Sequence, residues 1–257
     1  MKLARFFAVL FTAGLALLPI LLLTVYSFAQ SWFWPSLVPG RWSARSWAYV
    51  LSDDSGVFAA AGSSLAIAAA VSMLAVVVAL PAARAVAWYD FPGKRLLLFL
   101  LLLPVLAPPL AAAMGVHSVF LRTRLVETIP GVILVHLIPA GPYAILMLSG
   151  SFSRLDPDLE AQARTLGASR FAVTRFVTLP AIAPGLAVAA AFAFLISWSQ
   201  YQLTILIGGV RVLTLPVVLV SFQRGGNEAI TAALSLVFLI PTLAVFVAVS
   251  RYLRYET

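Results

Sequence analysis

Charge is the scarcest commodity in this 257-residue chain. Only 10% of its residues are charged, against roughly 25% in a soluble domain. That is too little to cover a water-facing surface. Cysteine is absent altogether, which excludes a disulfide-stapled secreted fold and any thiolate metal centre. No G-x-x-x-x-G-K-[ST] phosphate loop occurs. Gly208-Gly209 and Gly225-Gly226 are followed by no lysine and read as turns. No Ser/His/Asp set can be assembled, and two histidines without cysteine make no metal site. We therefore expect no cofactor, no metal and no catalytic residue.

What remains is apolar. Hydrophobic residues make up 62% of the chain, which excludes disorder and points to an integral membrane protein. Six long windows carry no charge: 6–40, 57–83, 96–121, 128–153, 176–210 and 229–250. A helix needs about 20 mostly apolar residues to cross the hydrocarbon core. The windows predict spans at 6–28, 57–80, 96–120, 131–150, 183–207 and 229–250. They form one transmembrane domain over 1–257. Runs such as Leu96–Leu103 do not alternate with period two, so helices fit and barrel strands do not. A seventh charge-free run, Val212–Gln223, is shorter and contains Pro216. It reads as a surface or re-entrant element. The apolar run of the first span is too long for a signal-peptide core, so it is expected to stay as a helix.

Lysine and arginine set orientation. With the N-terminus inside, eleven of the 17 fall on inner segments and six on outer ones. Both termini are then cytoplasmic, and much of the +8 net charge is topology information rather than a nucleic-acid surface. The longest outer loop, 30–56, holds Trp32, Trp34, Trp42 and Trp47. These suit headgroup anchors or a docking surface for an outside partner. Pro104, Pro108 and Pro109 predict a kinked or interrupted third span, and Pro139 and Pro142 a kinked or interrupted fourth.

The inner connection over 154–178 carries the most local information. Asp156 or Asp158 can cap a helix beginning near Pro157. Leu159, Ala163 and Leu166 form a short apolar stripe, and Gly167 permits a turn. A second short helix follows over Ser169–Val177, then Pro180 and Pro184. By spacing alone this is either an interfacial amphipathic helix or a helix–glycine–helix docking module.

Gly167-Ala168-Ser169, Val177, Leu179-Pro180 and Pro184-Gly185 resemble the EAA signature of permease subunits of binding-protein-dependent ABC importers. That signature runs E-A-A-x-x-x-G-A-S and later V-x-L-P-x-x-x-P-G. Here Ala161 stands where the signature has Glu, Gln162 where it has the first Ala, and Glu160 lies one place earlier. The resemblance implies the type I importer permease fold: all-α, six transmembrane helices, with a cytoplasmic coupling segment between spans four and five. It implies that this segment, through Glu160, Ala161, Ala163, Arg164, Gly167, Ala168, Ser169 and Arg170, seats on a separate cytoplasmic ATPase. It further implies two ATPase subunits, a second permease (identical or paralogous), an external substrate-binding protein, membrane lipid around the spans, and a bacterial inner membrane. A secondary transporter or channel not driven by ATP is the alternative. Span five and Gly208–Pro216 are similar in general look to permeases of the polyamine, thiamine and ferric-iron branch.

Polar side chains inside a span face the bundle interior or a wet cavity. Ser197, Gln200, Tyr201 and Thr204 recur at one helical face of span five. They read as pathway or gate, or as helix–helix hydrogen-bonding glue. His117 and His136 read as hydrogen-bonded packing residues in preference to substrate contacts.

Overall fold

The computed structural model describes residues 2–32, 35–36, 38–106 and 109–255. Helix α1 (Lys2–Phe28) leads into a two-stranded hairpin, β1 (Ala29–Ser31) and β2 (Arg41–Trp42), and the short α2 (Arg45–Val50). Then come α3 (Val57–Trp88), α4 (Lys94–Leu106), α5 (Pro109–Arg122) and α6 (Ile129–Phe152). The connection holds α7 (Asp158–Thr165), α8 (Arg170–Val173), a π-helical turn (Thr174–Thr178) and α9 (Leu179–Ala181). Helices α10 (Ala183–Trp198), α11 (Gln202–Gly208), α12 (Leu215–Arg224) and α13 (Glu228–Tyr255) complete the chain.

Helices occupy all six charge-free windows. Among the described residues, Val57–Trp88, Ile129–Phe152 and Glu228–Arg254 are each long and apolar enough to cross a membrane. The stretches Arg170–Ala181 and Ala183–Trp198 pass that test together, as a pair bent by 75°. Helix α6 begins at a real cap: the Thr128 hydroxyl accepts the Gly131 N–H at 3.1 Å. It then runs unbroken through Pro139 and Pro142, so neither proline interrupts it. Neighbouring helices in a bundle can re-satisfy the carbonyls a proline frees. The third window is shared by α4 and α5, with Pro104 inside α4 and Pro109 opening α5. Trp34 and Pro108 lie outside the described residues. Pro216 sits in the first turn of α12, where a missing N–H costs nothing.

The chain divides into two compact units. One comprises 1–62 with 214–243. Within it β1 pairs antiparallel with β2, Ala29 opposite Trp42. The Trp47 indole donates to the buried Ser27 hydroxyl at 3.0 Å, Tyr26 lies against Trp32 with ring centroids 4.5 Å apart, and Trp42 is exposed. The described part of 30–56 thus holds strand, helix and a 3-10 turn rather than an extended loop.

The other unit, 63–213 with 244–257, holds the main core. Ile67, Val71, Ala75, Ala79 and Ala83 recur every four residues on α3 and are buried. They join Val132, Val135, Ala140, Ala144 and Leu148 of α6 and Ala189 and Ala193 of α10. Alanine prevails because bilayer helices associate by close backbone approach. Gly185 shows the extreme: a Cβ there would overlap the Ser151 side chain of α6. The Ser72 hydroxyl donates to the Ala190 carbonyl at 2.7 Å, tying α3 to α10.

Candidate functional site

The connection 154–178 folds as two helices around a glycine. The Asp156 carboxylate accepts the Asp158 N–H at 3.0 Å, starting α7. At its end Gly167 takes φ +88°, the Gly167 N–H donates to Arg164 C=O at 2.9 Å, and Ala168 N–H to Ala163 C=O at 3.1 Å. This pair of reversed bonds is the Schellman ending, which needs a left-handed residue and favours apolar contact between the positions of Ala163 and Ala168. The Ser169 hydroxyl then accepts the Ala172 N–H at 3.2 Å and opens α8. The second helix is shorter than sequence predicts: after Val173 the chain widens into the π turn, an arrangement frequent at functional sites.

One face of this module is locked inward. Glu160 is only 4% exposed. The Arg84 guanidinium donates to its Oε2 at 2.6 Å, and the buried Thr178 hydroxyl donates to its Oε1 at 2.6 Å. A buried carboxylate needs such partners. Arg84 also lies 4.6 Å over the Trp88 ring, and the Trp88 indole donates at 2.8 Å to the Phe152 carbonyl at the end of α6. One ion pair therefore joins α3, α7 and the π turn.

Other side chains of the module are bare. Leu166 is 87% exposed, Phe171 77% and Phe176 73%. Leu159 is exposed too, so the apolar stripe of α7 points away from the core. Ala161, Arg164, Ser169 and Arg170 share this exposure, while Ala163 and Ala168 are half-buried at the turn. Glu160 alone among the expected coupling residues is buried.

Span five departs from a single helix. Helix α10 stops at Trp198 and α11 restarts at Gln202. The Ser199 hydroxyl turns back to the Leu195 carbonyl at 2.9 Å and the Ile196 carbonyl at 3.2 Å, competing with helix continuation. Ser197 and Thr204 lie on either side of the break, both buried, and meet at His136 of α6: Nδ1 is 2.9 Å from Ser197 Oγ and Nε2 is 3.0 Å from Thr204 Oγ1. Gln200 and Tyr201 occupy the break, both half-buried. The sequence put Ser197, Gln200, Tyr201 and Thr204 on one face of a single helix; the structure interrupts that helix after Trp198, and sequence reasoning missed His136 as the shared partner of Ser197 and Thr204, and missed Arg84. The available signal was a lone histidine, and a lone arginine, each near the end of an otherwise apolar run. Among the described residues no three His, Asp or Glu side chains converge as metal ligands.

A bundle of long apolar helices that carries a two-helix module with exposed large apolar side chains, and a helix pair interrupted at a polar joint, fits a membrane transport subunit. The chain belongs to the family of binding-protein-dependent transport system inner membrane components, whose pattern matches residues 72–255. It is 32% identical over 193 residues to the trehalose transport system permease protein SugB of Mycobacterium tuberculosis (strain CDC 1551 / Oshkosh), covering 74% of this chain and 70% of that one. It is 32% identical over 238 residues to the alpha-glucoside transport system permease protein AglG of Rhizobium meliloti (strain 1021), covering 88% of this chain and 62% of the relative. It shares its fold, at TM-score 0.74 and 17% identity, with a chain of a bacterial ABC transporter involved in the import of the acidic polysaccharide alginate, covering 98% of this chain and 95% of that one. The protein is a multi-pass permease subunit of an ABC importer, a transport component and not an enzyme. The family implies an ATPase and a substrate-binding protein as partners.

Proposed function

We propose that the chain spans a bacterial inner membrane six times as a single permease domain with both termini in the cytoplasm. It pairs with a second permease, identical or paralogous, above two ATPase subunits, and receives solute from an external binding protein. Residues 154–178 are the coupling segment. Its face of Leu166, Phe171 and Phe176, with Ala161, Arg164, Ser169 and Arg170, seats on the ATPase. The exposure of Leu166, Phe171 and Phe176 within one short module carries the reading, because exposed large apolar side chains rimmed by polar ones mark interaction sites and arginines bind acidic groups bidentately. Glu160 works from within, fixing the module to α3. Ser197, Gln200, Tyr201 and Thr204 at the span-five joint belong to the pathway or gate. The names of the 32%-identical relatives favour a glycoside as solute over the polyamine, thiamine and iron classes.

Co-purification tests the assignment. The tagged permease should bring down an ATPase and a second permease, and the reconstituted assembly should import a radiolabelled disaccharide. Gln200→Ala should retain the ATPase while altering uptake. A permease that transports without any ATPase would refute the coupling assignment, and Gln200→Ala with unaltered uptake would refute the pathway assignment.

A further inference from the structure

The chain has two histidines, and both bond to the same short stretch of span five. His136 is 1% exposed and bridges the break. The Thr204 hydroxyl already donates to the Gln200 carbonyl at 2.7 Å, so its oxygen accepts from His136 Nε2–H. Nδ1 is then the bare nitrogen and accepts the Ser197 hydroxyl. A neutral imidazole, with one donor and one acceptor on opposite edges, matches the end of α10 on one side and the start of α11 on the other.

The far end of α11 is held by the second histidine. The last carbonyls of a helix have no helical donor, and inside a bilayer such orphans are costly. The Leu206 carbonyl lies 3.1 Å from His117 Nδ1 of α5, so Nδ1 carries the proton there. The Ile207 carbonyl accepts the Glu127 backbone N–H at 2.6 Å. Glu127 holds φ 60°, an uncommon value for a non-glycine residue. Its carboxylate pairs with Arg211 at 3.2 Å, and a Cβ on Gly209 would stand 3.1 Å from its Oε1. Helix α11 is thus gripped at both ends by groups outside span five.

We propose that His136 and His117 are positioning residues of the solute path: together they hold α11 at its broken angle to α10, and coupled transport requires that grip. This rests on the reading of the span-five joint as belonging to the pathway. Neither residue touches solute in this scheme. The two histidines act through the helix they hold.

The absence of cysteine makes the test direct. In the permease purified with its ATPase, spin labels on cysteines replacing the exposed Phe192 and Val210 report the α10–α11 geometry by pulsed electron resonance. A continuous helix would separate those backbone positions by about 27 Å, and the broken joint gives its own distribution. His136→Leu, Thr204→Val and His117→Leu should each broaden and shift that distribution, and raise solute-independent ATP hydrolysis several-fold. His136→Gln, whose amide offers one donor and one acceptor, should keep the native distribution. A packing role predicts the reverse order, with apolar leucine tolerated and glutamine not. If His136→Leu fails to insert, Thr204→Val and His117→Leu carry the same readout. Unchanged distances in the inserted variants, or leucine behaving better than glutamine, would overturn the inference. A shifted distance with normal uptake and hydrolysis would also overturn it, leaving the grip standing but removing the joint from the pathway.

Discussion

Replacing Gly167 by valine isolates the cost of one backbone angle. Gly167 has φ +88°, and no atom outside its immediate neighbours lies within 4 Å of where a Cβ would be. The substitution therefore meets no clash, and its whole effect is conformational. Holding a β-branched residue at positive φ costs on the order of 1–3 kcal/mol. The module can escape by returning residue 167 to negative φ, but that breaks the Ala168-to-Ala163 and Gly167-to-Arg164 bonds and swings α8 with Phe171. The ATPase must then restore the native angle on binding, so its affinity should fall by about 5–150-fold. Asparagine is enriched several-fold at positive φ, so Gly167→Asn should lose far less. Titrating purified ATPase onto the permease in lipid nanodiscs gives the three affinities. Valine matching glycine within twofold, or asparagine as poor as valine, would refute the argument and with it the role of the turn.

Two further perturbations follow from packing and charge. Arg84→Met strands the Glu160 carboxylate among apolar neighbours. Removing one partner of a buried pair costs about 3 kcal/mol at the low end, which suits a partly exposed arginine, and a thermal-shift assay should register it. Adding Glu160→Gln to that variant should recover most of the loss, because the amide still accepts from Thr178, and no recovery would show the pair to be incidental. Gly185→Ala should force α10 off α6, at about 1–3 kcal/mol for overpacking. Ser151→Gly should relieve it in the double variant, and a lack of rescue by the same assay would place the strain elsewhere.

The helices were readable because the bilayer demands long charge-free windows, and the turn at Gly167 because its signals are local: a cap at Asp156 or Asp158, a short apolar stripe on the first helix, and a glycine where that stripe ends. The break at 199–201 was not readable. The stretch Ser197–Gln202 holds no glycine or proline, and the side chain that bonds to both sides of the break is His136, 61 residues from Ser197 and 68 from Thr204. The inward turn of Glu160 was hidden for the same reason, since Arg84 lies 76 residues earlier. A carboxylate beside a coupling motif looks like a partner contact until its counter-ion is located. Contacts across such sequence separations are invisible to periodicity, which reports only what a helix does with its own neighbours.

The 75° bend between Arg170–Ala181 and Ala183–Trp198 makes this stretch of the chain a bell crank. A push along one arm of a near-right-angled lever has almost no component along the other. In the proposed coupling role, a push along the short arm thus reaches the long arm mainly as sideways tilt. Pro180 and Pro184 stiffen the elbow by fixing their own φ angles, and Gly185 just beyond it leaves room for the Ser151 side chain. A straight rod in the same place would deliver a piston stroke along the bilayer normal, dragging polar groups into hydrocarbon, whereas a tilting arm can separate a helix from its neighbours while every residue stays at its own depth.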